Sequence, residues 1–233
     1  MKKIIALVLV AVLCLSFVSC AKDPAEKSEG VLTYAEYVAA ELETDVVIEA
    51  YVQATQSWWD NKITVYAADP DGAYFIYEMA CSEADAAKLT KGTKIKVSGI
   101  KKEWAGEVEI MNPTFEFVND GVTYESSVVD VTAKMGKDEL IDYQNQLVAF
   151  KGVTIKAITY KNGEPGDDIY VTVTKGEVEY SFCVERYLTG PDTDLYKSFV
   201  NEDVKVGDVV DVEGFLYWYE GVNTHITSVT VAD

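Results

Sequence analysis

One phrase occurs twice in this chain, and it limits what the chain can fold into. The first copy is Gly92-Thr-Lys-Ile-Lys-Val-Ser-Gly99, continuing to Glu103-Trp104-Ala105-Gly106. The second is Gly207-Asp-Val-Val-Asp-Val-Glu-Gly214, continuing to Trp218-Tyr219-Glu220-Gly221. Gly92 falls on Gly207, Ile95 on Val210, Val97 on Val212, Gly99 on Gly214 and Gly106 on Gly221. Alternating apolar residues between turn glycines are the pattern of a half-buried strand. A unit this long is a duplicated domain, not a solenoid repeat. A chain of 233 residues then divides into two modules of ordinary domain size, with boundaries expected at 31–118 and 119–233.

Val, Thr, Tyr and Trp are abundant and proline is scarce, which is strand chemistry. In the first module, Thr33 sits three residues before Glu36 as a capping pair for a short helix. Strands are expected at Val46–Val52, Ile63–Tyr66 and Ala73–Tyr77, with Asp69-Pro70-Asp71-Gly72 as the turn joining the last two. A helix capped by Ser82 runs over 83–89. Strands follow over 94–100 and 107–118, with Gly99 and Pro113 marking a bulge or bend. The second module repeats this order: a lead-in helix over 137–143, then strands over 147–158, 169–173 and 177–184. Residues 188–194 are an insertion that ends where Asp194 can cap a helix. Strands over 209–216 and 223–231 complete the module. Strand, strand, strand, short helix, strand, strand is the order of an OB-fold barrel. The expected class is therefore all-β with short helices, built as two tandem five-stranded OB-fold-like barrels. A generic five- or six-stranded antiparallel sandwich fits the same pattern.

Met1-Lys2-Lys3 and the apolar run to Val18 read as a secretory signal over 1–19, excluded from the fold. Phe17-Val18-Ser19-Cys20 resembles the lipobox of bacterial lipoproteins, which implies cleavage before Cys20 and lipid attachment to its thiol. The acyl chains would hold the protein on the extracytoplasmic side of a bacterial membrane, in the cell envelope. The alternative is an ordinary secreted protein with a chance cysteine. Residues 20–30 are small and polar, as in a flexible tether.

The turn glycines and alternating strands of both modules, with Gly152-Val153, Gly207–Gly214, Glu220-Gly221 and His225–Val231, look like those of bacterial surface lipoproteins built from OB-fold domains. The resemblance implies a compact non-catalytic barrel and carries no catalytic motif.

OB barrels bind ligands on strands two and three, between the loops joining strands one to two and four to five. Those loops hold Trp58, Trp59 and Trp104 in the first module, and Tyr160, Tyr217, Trp218 and Tyr219 in the second. Neighbouring residues of an extended segment face opposite ways, so Trp58 and Trp59, or Trp218 and Tyr219, cannot both enter a core. Exposed rings of this kind stack on sugars, peptides or bases and attract cations; buried, they close the barrel ends. The acidic loops at 69–72, 166–168 and 192–194 lack calcium-loop spacing, and His225 has no ligand pattern around it. Cys81 and Cys183 are expected as buried free thiols. No phosphate loop, Ser/His/Asp set or nucleophile elbow is present in the sequence.

With 39 acidic against 20 basic residues the net charge is -19, which argues against phosphate-driven binding, so nucleic acid is an improbable partner. The expected function is a lipid-anchored binding or adaptor module, not an enzyme and without a cofactor. It would present aromatic loops to a glycan, peptide, cation or protein partner. The alternatives are a structural envelope protein and an accessory subunit of a secreted nuclease.

Overall fold

The computed structural model describes residues 23–232, so the signal segment and Cys20 lie outside the described residues. In the first module, β1 (Thr44–Thr55), β2 (Lys62–Asp69), β3 (Gly72–Ala80), β4 (Lys94–Trp104) and β5 (Glu107–Phe117) close into a barrel in the order β1-β2-β3-β5-β4. Closure is possible because β1 serves two neighbours: Thr44–Tyr51 pair with β4 and Tyr51–Thr55 with β2. The β3–β5 contact is parallel and the other four are antiparallel, which is the OB-fold arrangement.

Two short helices flank this barrel. α1 (Tyr34–Ala39) begins with the expected Thr33–Glu36 capping box. Its last carbonyls, on Tyr37, Val38 and Ala40, accept from the buried Lys101 ammonium at 2.9, 2.9 and 2.7 Å, which satisfies groups a helix end leaves open. α2 (Glu83–Ala86) is capped by Ser82 but stops short of Leu89. There the backbone tightens to three-residue bonds, Lys88 N–H to Asp85 and Leu89 N–H to Ala86, and Leu89 is buried.

The second module contains β6 (Val129–Asp130), β7 (Leu147–Tyr160), β8 (Ile169–Lys175), β9 (Val178–Val184), α3 (Asp194–Val200), β10 (Val209–Phe215) and β11 (His225–Val231). Pairings run β7–β8–β9–β11–β10 and back to β7, the same circuit as in the first module. Three details differ from expectation. β6 lies parallel to the start of β7, so this sheet has six strands. The lead-in over Asp138–Tyr143 is a 3-10 helix. The cap of α3 is Thr193, whose hydroxyl accepts from Tyr196 N–H at 3.2 Å, and Asp194 is the first residue inside the helix.

Each barrel has its own core. Ile48, Val65, Ile76, Val97 and Ile110 meet in the first, and Phe150, Val171, Phe182, Val212 and Ile226 in the second. Cys81 and Cys183 are buried and free. The stretch from Asp23, expected as tether, lies against the first barrel: Lys27 pairs with the buried Asp69 at 2.6 Å, and Tyr51 Oη donates to the Pro24 carbonyl at 3.2 Å.

The two glycines at the heart of the repeated phrase stand where strands crowd. Opposite Gly99, Asn112 and Pro113 bulge out of β5, and a Cβ on Gly99 would sit 2.6 Å from the Ile110 side chain. A Cβ on Gly214 would lie 2.3 Å from the His225 carbonyl oxygen, a backbone atom that cannot swing away. Gly214→Ala should therefore cost about 1–3 kcal/mol of stability in urea unfolding. Gly190→Ala, with nothing within 4 Å of the added carbon, should unfold like the parent.

Candidate functional site

The outward side chains of β2 and β3 in the first barrel include Tyr66, Phe75 and Tyr77, because Val65, Tyr74 and Ile76 point into the core. This is the face on which OB barrels hold ligands. The second barrel covers most of it. Phe215 stacks on Tyr66 with ring centroids 4.4 Å apart and planes at 22°, and Tyr217 meets Phe75 edge-on at 5.1 Å. Tyr217 also stacks on His225 at 4.3 Å, and His225 Nδ1 shares a hydrogen bond of 2.5 Å with the Tyr66 hydroxyl. Burial pushes the His225 pKa down to about 3, so the ring is neutral and the contact is between uncharged partners. A buried neutral pair avoids the desolvation penalty of an imidazolium.

A polar seam runs beside these rings. Glu107, with no exposed surface, accepts from Trp218 N–H at 2.8 Å and from the Gln144 amide at 3.3 Å. Gln144 also donates to the Gly106 carbonyl, Asn145 to that of Val108, and Glu220 N–H to that of Ala105. Burial holds the Glu107 carboxyl well above the usual carboxylate range, and raises Glu109 to about 7.

The expected site residues do not converge on one groove. Trp58 packs on the first core and donates its indole N–H to the Cys81 carbonyl at 2.8 Å, while Trp59 beside it is 77% exposed. Tyr160 packs against the second core, with its hydroxyl 3.4 Å from the Phe199 carbonyl. Tyr217 belongs to the junction. Trp218 packs on the second core and against Gly106, where a Cβ would come within 3.1 Å of its ring. Trp104 and Tyr219 are exposed and face each other at 5.2 Å across the barrel boundary. The alternation expected for Trp58–Trp59 and for Trp218–Tyr219 is observed in both pairs.

Where the second barrel's cover ends, a cleft of about 520 Å³ remains. Trp59, Lys62 and Tyr77 of the first barrel line one side, and Arg186 and Tyr187 of the second line the other. Its walls are tied together by Ser57, whose N–H and hydroxyl donate to the Tyr187 carbonyl at 2.7 and 3.1 Å. Of the residues named in advance, only Trp59 reaches this cleft. Tyr77, Arg186 and Tyr187 were missed because no local pattern reports contact between the barrels. One signal was present in the sequence: β2 and β3 read as nearly continuous apolar runs, Ile-Thr-Val-Tyr-Ala-Ala and Ala-Tyr-Phe-Ile-Tyr, whereas β8 alternates as Ile-Tyr-Val-Thr-Val-Thr. A strand apolar on both faces is covered on both faces.

No family model and no curated protein matches the chain. Among solved structures it is similar to a murine DNA-binding protein bound to double-stranded DNA, with TM-score 0.38, 8% identity and coverage of 80% of this chain and 96% of that one. It is also similar to the Ifi202 HINa domain in complex with a 20-bp double-stranded DNA (TM-score 0.37, 10% identity, 82% and 97% covered). A third is the p202 HIN1 domain in complex with a 12-mer double-stranded DNA (TM-score 0.36, 10% identity, 91% and 100% covered). At these values no ligand passes from those proteins to this chain. They do correct one expectation. Each was solved with double-stranded DNA, so the charge argument that made nucleic acid an improbable partner is withdrawn.

The junction makes stability depend on pH in a definite direction. Glu109 holds its proton to about pH 7 when folded and only to about 4.3 when unfolded, so the folded state binds more protons in between. Its contribution is complete below that window and is lost as pH rises through 7. His225 acts oppositely, since its contribution is lost as pH falls from about 6.5 toward 3. Glu109→Gln mimics the protonated acid and should match the parent near pH 4.5 while exceeding it in unfolding free energy above pH 7. Equal stability of the two proteins at both pH values would remove Glu109 from this account.

Proposed function

We propose that the protein is a lipid-anchored, extracytoplasmic binding module whose two barrels act as one unit, with its ligand site in the cleft at their junction. The observation that supports this reading is the cleft itself: an open remnant of the first barrel's β2–β3 face, next to a highly exposed Trp59 and held in shape by the Ser57–Tyr187 hydrogen bonds. Ligand sites are typically concave, largely preformed and lined by aromatic groups with a few polar ones, and a fixed wall reduces the ordering cost of binding. Trp59 and Tyr187 present ring surface, while Gln56, Lys62 and Arg186 supply donors. The anchor at Cys20 would keep this cleft near the membrane surface. The role is recognition, and of the aromatic residues named from the sequence only Trp59 serves it.

A thermal-shift panel of glycans, peptides and cations tests the reading. A true ligand at a hundred times its Kd adds about 2.7 kcal/mol of apparent stability, and Trp59→Ala should abolish that gain without changing the melting temperature of the free protein. A flat panel, or a gain that survives Trp59→Ala, would favour the structural-envelope alternative or a site elsewhere. Separately, Cys20→Ser should move the protein from the membrane to the soluble extracytoplasmic fraction; unchanged membrane retention would rule out the anchor.

A further inference from the structure

We propose that the cleft takes a carboxylate-bearing sugar, with Arg186 clamping the carboxylate while the ring lies on Trp59. The proposal rests on the cleft being the binding site and adds the chemical class of its occupant.

The cation comes first. Arg186 is the sole arginine of a chain with net charge -19. Among the described residues its guanidinium makes no hydrogen bond or ion pair; it lies over the Tyr187 ring, 5.3 Å from its centroid. The backbone beside it is held by two carboxylates, neither of which is hydrogen-bonded to the guanidinium. The Arg186 N–H donates to Asp168 at 3.0 Å, and the neighbouring Glu185 carboxylate accepts from Leu188 N–H at 2.7 Å. Lys62, the other cation of the cleft, is committed to Glu78 at 2.8 Å, with Asp60 also near it. In so acidic a protein, a planar cation left open beside aromatic rings marks a place reserved for an incoming anion.

The geometry of that cation selects among anions. A guanidinium presents parallel donors that match the two oxygens of a carboxylate. A phosphate dianion would need a second free cation, and Lys62 is already paired with Glu78. One uncommitted arginine fits a single negative charge.

The rest of the cleft selects a sugar over a peptide side chain or an aromatic acid. A pyranose has an apolar face, which a flat exposed indole covers, and a rim of hydroxyls that need both donors and acceptors. Gln56 and the Lys62–Glu78 pair provide both. A peptide carboxylate on an apolar stem would leave the remaining donor and acceptor positions of those groups without partners when water is displaced, which is unfavourable.

The test is calorimetric titration of the folded protein with methyl galacturonoside, which carries one carboxylate, and with its methyl ester, which keeps the ring and removes the charge. The parent should bind the acid at least tenfold more tightly than the ester. Arg186→Ala should bind both equally and weakly, Arg186→Lys should restore only part of the preference, and Trp59→Ala should lose both. Matching thermal unfolding of the free variants checks that each is folded. Equal binding of acid and ester by the parent, or a preference that survives Arg186→Ala, overturns the carboxylate assignment and leaves the cleft standing if Trp59→Ala still abolishes binding. Acid binding untouched by either substitution overturns the cleft as well. No binding of either compound by the parent overturns the sugar assignment.

Discussion

The stack of Phe215 on Tyr66, locked by the hydrogen bond between Tyr66 and His225, is the contact on which the rest of the molecule depends. Each such aromatic pair adds about 0.5–1.5 kcal/mol beyond the area it buries, and several occur together here. They cover a surface that an isolated barrel of this kind would leave open. Covering it turns two independently cored modules into one body, removes water from the Glu107 carboxylate, and fixes the register in which the loops at 104–107 and 217–221 meet.

Duplication has thus produced two copies of one circuit with different roles. The first barrel supplies an aromatic face and the second supplies its cover. The corresponding face of the second barrel carries Thr172, Thr174, Glu179 and Ser181, hydroxyl and acidic groups at home in water, beyond the Tyr170–Cys183 pair at its other end. The asymmetry follows from the outward positions of β2 and β3 as against β8 and β9. The inward positions, which build the barrels, are equivalent in the two copies.

The proposed cleft is a boundary effect of that asymmetry. Phe215 and Tyr217 cover Tyr66 and Phe75, while Tyr77 and Lys62 at the edge of that cover line the cleft. The loop carrying Arg186 and Tyr187 closes the far side through Ser57. Neither barrel alone lines this cleft, so under the proposed function the interface would serve binding as well as stability. The exposed Trp104–Tyr219 pair lies at the other loop junction, with its rings in tilted contact.

The sequence by itself determined the two β-modules, their strand order, the capping of α1 by Thr33 and Glu36, and the bulge where Gly99 meets Pro113. Those features are written in local periodicity and turn chemistry, which act over a few residues and therefore leave a local trace. It also showed that Trp58 and Trp59 cannot both enter a core if their segment stays extended. Only the tertiary structure decided which aromatics become cover and which stay exposed, that Glu107 and His225 are both buried at the junction, and that Arg186 and Trp59 line one cleft. These contacts join residues more than a hundred positions apart through the docking of two finished surfaces, and a one-dimensional pattern carries no record of which surface meets which.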